Sequence, residues 1–335
     1  MVGRWKNIST TVAFAEGYRD IIGKLFLQYC CMAVLWDFFY TRCRSRKFRK
    51  GKEKFMKKLL TLILAVMLSL SFVACGNKVN AKKDLDNAKE KGYIVVGMEC
   101  AYAPYNWATP TSTDNTVKVV NGSYADGYDV QIAKVIAQTL GVELKIKAIE
   151  WDGLIPALES GDIDMIIAGM SPTEKRKLSI DFSETYFDSN LVMVVKKNGA
   201  YANADDIQDF SGAKITGQLN TFHYDVISQI NGVNKQTALQ DFAALIQSLE
   251  SGAIDGYVCE KPGAVSAVSA NPDFTYIEFG EGKGFTCDPA ESSISVGLRK
   301  GSSLTSKVNE AIATLTTAQK EQMMDEAIAR QPSAE

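Results

Sequence analysis

Two heptapeptides far apart in the chain spell almost the same text, and this echo limits the fold more than any other feature. Leu158-Glu-Ser-Gly-Asp-Ile-Asp164 and Leu249-Glu-Ser-Gly-Ala-Ile-Asp255 differ at one position. In each, an apolar-periodic stretch runs into Gly and then into Ile-Asp. Gly tolerates the left-handed turn that ends a helix, and a β-branched residue suits the strand that follows. The repetition predicts two lobes built on one plan, each with a ligand-facing loop after its strand. The surrounding residues extend this grammar. Strands are predicted at 93–97, 142–149, 165–168, 190–196, 214–217, 255–259 and 295–299, from apolar runs or alternation. Helices are predicted at 129–140, 154–159, 238–250 and 304–329, from 3.6-residue spacing and Gly stops at Gly141, Gly161 and Gly252. Alternating units of this kind make an α/β fold with mostly parallel sheets.

Charge divides the chain. Residues 1–75 hold 14 of the 37 Lys/Arg and 4 of the 39 Asp/Glu, so the remainder carries a net charge of about −12. An acidic body argues against nucleic acid, whose phosphates need basic partners. Met56-Lys57-Lys58 opens a basic region, and residues 59–73 form an apolar run too short for an ordinary membrane span. It ends in Phe72-Val73-Ala74-Cys75, which reads as a secretory leader (56–75) with a lipoprotein cleavage box. Phe72 stands where Leu is usual. Lipidation is expected at Cys75, with residues 76–89 as a linker, so the mature protein would be anchored on the outer face of the membrane. An uncleaved anchor would give the same location. Because a leader belongs at the N-terminus, we read Met56 as the start and residues 1–55 as outside the native protein. A genuine N-terminal membrane segment is the competing possibility. Of the seven cysteines Cys30, Cys31 and Cys43 lie upstream of the leader; Cys100, Cys259 and Cys287 remain in the body, no CxxC pair exists, and His223 is the single histidine. A structural metal is therefore not expected, and buried thiols are the default.

Ligands of open α/β sheets sit beyond the carboxyl ends of strands. The loop after 165–168 reads Gly169-Met-Ser-Pro-Thr-Glu-Lys-Arg176. Thr173 and Glu174 predict a helix start, which leaves backbone N–H groups free to point into the loop. Arg176 follows one turn in. Its planar fork beside such groups suits a carboxylate; phosphate would suit it as well, and a surface ion pair is the plain alternative.

From about residue 93 to 330 the chain resembles the amino-acid-binding (family 3) solute-binding proteins of ABC importers. The matching phrases are Glu99-x-x-Tyr-Ala-Pro-Tyr105, Gly127-Tyr-Asp-Val-Gln-Ile132, Trp151-Asp-Gly-Leu-Ile-Pro-Ala-Leu158, Gly-Asp-Ile-Asp164, the Gly169 octet, Asp181-Phe-Ser183 and Gln218-Leu-Asn-Thr221. Singly each is weak; together they are specific. Gln131 departs from the Asp or Glu of the family signature, and Asn220 stands where Gly is usual, which puts the geometry of that loop in question. The resemblance implies a two-lobe, periplasmic-binding-protein-like (type II) fold. Lobe 1 would cover 90–191 and lobe 2 192–286, with 287–332 returning to lobe 1 and hinge strands near 190–196 and 284–294. It implies capture of a free L-amino acid and delivery to an ABC permease by lobe closure, by a monomer without cofactor.

Carried over residue by residue, the resemblance gives Gly169 a carbonyl for the α-ammonium and Ser171 a hydroxyl and N–H for either charge. It makes Arg176 the α-carboxylate clamp, Thr221 a backbone N–H donor across the cleft, and Glu260 the ammonium partner. Tyr102 and Trp151 would sandwich the side chain and Glu99 would receive its far end. Two aromatic faces with an acid favour a cation, through cation–π attraction of ~0.5–2 kcal/mol and a charged hydrogen bond. Arginine or lysine is therefore expected, with glutamine or another polar amino acid as the alternative. Trp151 would equally suit a core position, Tyr105 and Trp107 are rim candidates, and His223 is as readily a bystander as a contact. A dehydratase-like enzyme on the same fold is the alternative of another class. It would need a general acid or base poised over the ligand, and the acids expected in the cleft already have partners in the zwitterion.

Overall fold

The computed structural model describes residues 79–120, 122–288 and 292–332. The leader, Cys75 and residues 1–55, with the expectations attached to them, lie outside these residues. In chain order the elements are α1 (Asp84–Lys91), β1 (Tyr93–Met98), β2 (Ala101–Tyr102), β3 (Asn106–Thr109), β4 (Val117–Lys118), β5 (Tyr124–Asp126) and α2 (Tyr128–Leu140). There follow β6 (Glu143–Ala148), α3 (Leu154–Ser160), β7 (Met165–Ile166), α4 (Glu174–Lys177), β8 (Ile180–Asp188), β9 (Leu191–Lys196), β10 (Lys214–Thr216) and α5 (Phe222–Asp225). The last are β11 (Asn234–Lys235), α6 (Phe242–Glu250), β12 (Gly256–Glu260), α7 (Lys261–Ala270), β13 (Phe274–Ile277), β14 (Ser293–Arg299), α8 (Thr305–Ala313) and α9 (Thr317–Arg330).

Two five-stranded sheets carry the fold, ordered β6-β1-β7-β14-β8 and β11-β10-β12-β9-β13. In each, the first three strands run parallel and the fourth runs against both its neighbours. The reversed strand is in both cases the one that arrives from the other sheet. β9 enters the second sheet after β8, and β14 enters the first after β13. This is the two-lobe, type II architecture. The hinge expected over 190–196 needs correction, because Leu191–Lys196 is an integral strand of the second sheet. The chain crosses just before it, at 189–190, and crosses back between Ile277 and Ser293. β9 is apolar from Leu191 to Val195 because its two faces serve two cores. Val192 and Val194 join the large cluster, while Met193 and Val195 join the second with Phe210, Ile215 and Val258. Alternate residues of a strand face opposite sides, so a strand buried on both loses its polar alternation.

The sequence echo is reproduced bond for bond. Gly161 and Gly252 adopt φ of +80° and +76° at the ends of α3 and α6. The N–H groups of Ile163 and Ile254 both turn back to the helix, onto the carbonyls of Ala157 and Ser248. Asp164 and Asp255 each make a two-part clasp on the neighbouring strand. The Asp164 N–H donates to Val95 O, and its carboxylate accepts the Val95 N–H at 2.9 Å. Asp255 does the same with Lys214, at 2.8 Å for each bond. Lobe 1 adds a buried cation to this clasp. Arg299 of β14 contacts Asp84 and Asp164 and donates to the carbonyls of Leu158 and Ile163. With its donors spread over two acids and two carbonyls, the charge is buried but fully solvated by protein.

Other differences from expectation have local causes. The expected linker over 76–89 is overtaken by α1, whose Asp84 is buried against Arg299. α6 begins four residues later than the expected 238, because the Asp241 side chain caps it by accepting the Ala244 N–H. The expected helix 304–329 is two helices. Thr316 and Gln319 form a reciprocal capping box that starts α9 afresh. A small sheet, β2-β3-β5-β4, lies outside the strand–helix alternation.

Candidate ligand-binding site

The loops that leave β1 and β7 are set by one buried network. Asn106 accepts the Cys100 N–H at 2.6 Å and donates to Asp129 at 2.8 Å. Asp129 also accepts the Tyr186 hydroxyl at 2.7 Å and the Gly169 N–H. Burial pushes the Asp129 carboxyl up to about 6, against these three donors. The Gly127 turn brings α2 to this point. A Cβ there would stand 2.2 Å from the Tyr105 carbonyl oxygen, so the close approach admits only glycine. Gly169 has φ +59°, which glycine alone adopts without strain, and a Cβ would reach within 3.2 Å of the Tyr102 ring.

Tyr102, Trp151, Gly169, Ser171, Arg176, Thr221 and Glu260, all singled out in the sequence, line one cavity together with Gln218, Phe222 and His223. Its open space is about 10 Å³, enough for a single water and no more. The cavity is filled by its own side chains. Tyr102 lies face to face with Phe242, 4.0 Å between centroids, and its hydroxyl donates to Glu260. Tyr102 is thus engaged by Phe242 and Glu260 from the second lobe. Trp151 faces the Arg176 guanidinium at 5.0 Å. Anything larger than water requires Tyr102 to leave Phe242, or the lobes to part.

Arg176 is placed by α4. Thr173 caps this short helix by accepting the Arg176 N–H, as its sequence suggests. The guanidinium then spans the cleft, donating from Nη1 to Ser171 O at 2.8 Å and from Nη2 to Asn220 O at 3.2 Å. Thr221 is buried at the N-terminus of α5, its hydroxyl donating to Gln218 O at 2.7 Å. Glu260 ends β12, with His223 Nε2 at 2.8 Å from Oε1. The alignment falls short of a hydrogen bond, and neither imidazole nitrogen has a hydrogen-bond partner among the described residues. Burial would raise the Glu260 carboxyl, but His223 and the Tyr102 hydroxyl outweigh it and hold it below the usual carboxylate range.

Glu99 sits behind the cavity rather than on its wall. It accepts Gln218 Nε2 at 3.1 Å from across the cleft. Burial first, then the charges of Asp241, Glu150 and Asp152, push its carboxyl up to about 7 against the Gln218 bond. Among the sequence candidates for the rim, His223 reaches the cavity. Tyr105 and Trp107 are buried in the large core, Tyr105 with its ring 4.9 Å from that of Tyr102. Cys100 and Cys259 are buried thiols whose ionisation burial pushes up, Cys100 to about 12. Gln218, Phe222 and Phe242 carry roles the sequence did not assign. Gln218 lay inside a quoted motif, but nothing local marks Phe242 as a cleft residue.

A family model described as bacterial extracellular solute-binding proteins, family 3, matches residues 94–327. An arginine-binding extracellular protein, ArtP, of Bacillus subtilis is 27% identical over 77% of this chain and 92% of its own length. A probable histidine-binding protein of Campylobacter jejuni is 31% identical over 69% of this chain and 85% of its own. Among solved structures, a mutant of arginine-bound ArgBP from T. maritima superposes with a TM-score of 0.58 at 30% identity. That match covers 69% of this chain and all of that one.

Proposed function

Since this chain belongs to the family 3 bacterial extracellular solute-binding proteins, we propose that it captures a free L-amino acid with a basic side chain and yields it to an ABC permease when its lobes part. Arg176, steadied by Trp151, pairs the α-carboxylate, and the Ser171 hydroxyl and the Thr221 N–H complete that end. Glu260, kept ionised by His223 and Tyr102, takes the α-ammonium with the Gly169 carbonyl. Arg176 comes from the first lobe and Glu260 from the second, so a zwitterion bridges the two and biases them toward closure.

The choice of a basic side chain rests on Glu99. It is buried beyond Tyr102, and Asp241, Glu150 and Asp152 all act on it. Four acids around one buried point make a place where a cation is strongly favoured. The arginine in the names of ArtP and ArgBP agrees with this. One observation favours glutamine instead: Glu99 already accepts an amide, from Gln218. Calorimetry on residues 76–335 separates the two. We expect micromolar binding of arginine or lysine, about −8 kcal/mol, and weaker binding of glutamine. Tighter binding of glutamine would overturn the side-chain assignment, and no response to any amino acid would overturn the function. Arg176→Ala should weaken binding about 10- to 100-fold, the loss of a charged hydrogen-bonding partner.

We place the mature protein outside the cytoplasm, tethered through a lipid on Cys75. The basic, apolar and Ala-Cys sequence of residues 56–75 supports this. Cys75→Ser should move the protein from the membrane fraction to the soluble one; unchanged fractionation would refute the tether.

A further inference from the structure

The lobes also meet outside the cavity, through side chains that touch none of the groups assigned to the zwitterion's charges except Arg176. Asn220 Nδ2 donates to Asp152 Oδ1 at 2.8 Å, and Gln240 Nε2 donates to Glu150 Oε2 at 3.2 Å. Both amides belong to the second lobe. Both acids belong to the first, on either side of Trp151 in the chain. Arg176 Nη2 reaches the Asn220 carbonyl across the same gap, at 3.2 Å. Asn220 sits at a φ of +58°, a left-handed conformation that glycine enters freely. Asn is among the few residues that enter the left-handed region at small cost. The turn is therefore kept, and a donor is added that glycine cannot supply.

We infer that Asn220–Asp152, supported by Gln240–Glu150, is an interlobe latch that holds the closed state and slows release of the ligand. Both pairs join an amide to a carboxylate. The second lobe contributes only neutral donors to these pairs, and neither amide titrates. The pairs are exposed, so each contributes modestly, and they are made only when the lobes are closed. A contact of that kind lengthens the bound lifetime and leaves the encounter rate nearly unchanged.

The inference rests on the amino-acid-binding function for its kinetic consequence but not for its structural one, and the test reads the two separately. Spin labels on non-natural residues at Glu143 and Asn234, exposed edge-strand positions of the two sheets, report the interlobe distance with no amino acid added. Asn220→Gly keeps the backbone conformation and should lower the closed-to-open ratio about fivefold, the scale of one net hydrogen bond. Asn220→Asp should open the protein further by facing Asp152. The exchange Asn220→Asp with Asp152→Asn restores an acid–amide pair and should restore closure. Stopped-flow release of L-arginine should quicken by a similar factor in Asn220→Gly. A distance distribution unchanged by Asn220→Gly and Asn220→Asp would overturn the latch. Failure of L-arginine to bind while the distances shift would count against the ligand assignment and leave the latch standing.

Discussion

Binding of a cationic amino acid should be coupled to loss of a proton from Glu99. Its carboxyl is pushed up to about 7 by burial and by Asp241, Glu150 and Asp152. A guanidinium or ammonium delivered beside it favours the ionised form and returns the group toward its ordinary 4.5. That return is worth about 3 kcal/mol at 1.36 kcal/mol per pKa unit. The sign follows from proton counting. The unliganded site holds the proton more tightly than the liganded one, so binding releases it and affinity rises with pH. The rise should run from about pH 4.5 to about pH 7 and level off above. Between pH 8 and pH 5 the loss of affinity comes to roughly fifty- to a hundredfold. The Glu260 carboxyl is held below its usual range by His223 and Tyr102, so it intrudes least toward the neutral end of the profile. Asp129, pushed up to about 6 behind the Gly169 loop, is separated by the variant Glu99→Gln, which should flatten the profile. Titration calorimetry with L-arginine, repeated in two buffers of different ionisation enthalpy, counts the proton directly. An affinity for arginine independent of pH, or proton uptake on binding, would refute the reasoning.

The same carboxyl affects folding in the absence of ligand. Its folded pKa lies above its unfolded one, so its contribution is fully present below about pH 4.5 and fades as pH rises through about 7. Ligand-free Glu99→Gln should therefore melt several degrees above the native protein at pH 8 and at about the same temperature at pH 4, by calorimetry. Gly169→Ala meets both a positive φ and the Tyr102 ring at 3.2 Å. It should weaken amino-acid binding by about tenfold or more, a backbone strain of ~1–3 kcal/mol, with little change in circular dichroism. Arg299→Met leaves Asp84 and Asp164 buried without their shared cation and should destabilise the fold by about 3–5 kcal/mol in urea titration.

The parts of the structure that were legible in sequence are those fixed by near neighbours. α2 and β1 follow from apolar spacing, and the echo around Asp164 and Asp255 foretold two strand–helix units of one design. The start of α6 and the break at Thr316 also carry local signals, Asp241 directly before an apolar run and Thr316 three residues before Gln319, but the expected helices of 238–250 and 304–329 passed over both. What stayed hidden depends on partners remote in the chain. Arg299 gives no local sign that Asp84 awaits it. The strand β8 carries Asp181, Phe182 and Ser183 in a poor alternation, because it is an edge strand with half-exposed faces. At the site, seven of the eight residues named from the sequence converge on one cavity, but their orientations do not follow from their identities. Tyr102 stacks on Phe242, because two apolar rings from facing lobes exclude more water together than either does alone. Gln218 holds Glu99 because a buried carboxylate without a donor is costly.

The reversed strands have a consequence for the order in which the protein is built. Every strand of the second sheet lies between Leu191 and Ile277, one unbroken stretch. The first sheet is split, and its missing piece, β14, belongs between β7 and β8 rather than at an edge. A chain appearing from its N-terminus thus has all of its second lobe's strands before it has those of its first. Until Ser293–Arg299 emerges, β8 has no strand beside it, and Asp84 and Asp164 lack their arginine. The last-made strand is the keystone of the lobe that is begun first. That lobe, which carries Glu99, Tyr102 and Arg176, cannot complete its half of the cleft until the chain is almost finished.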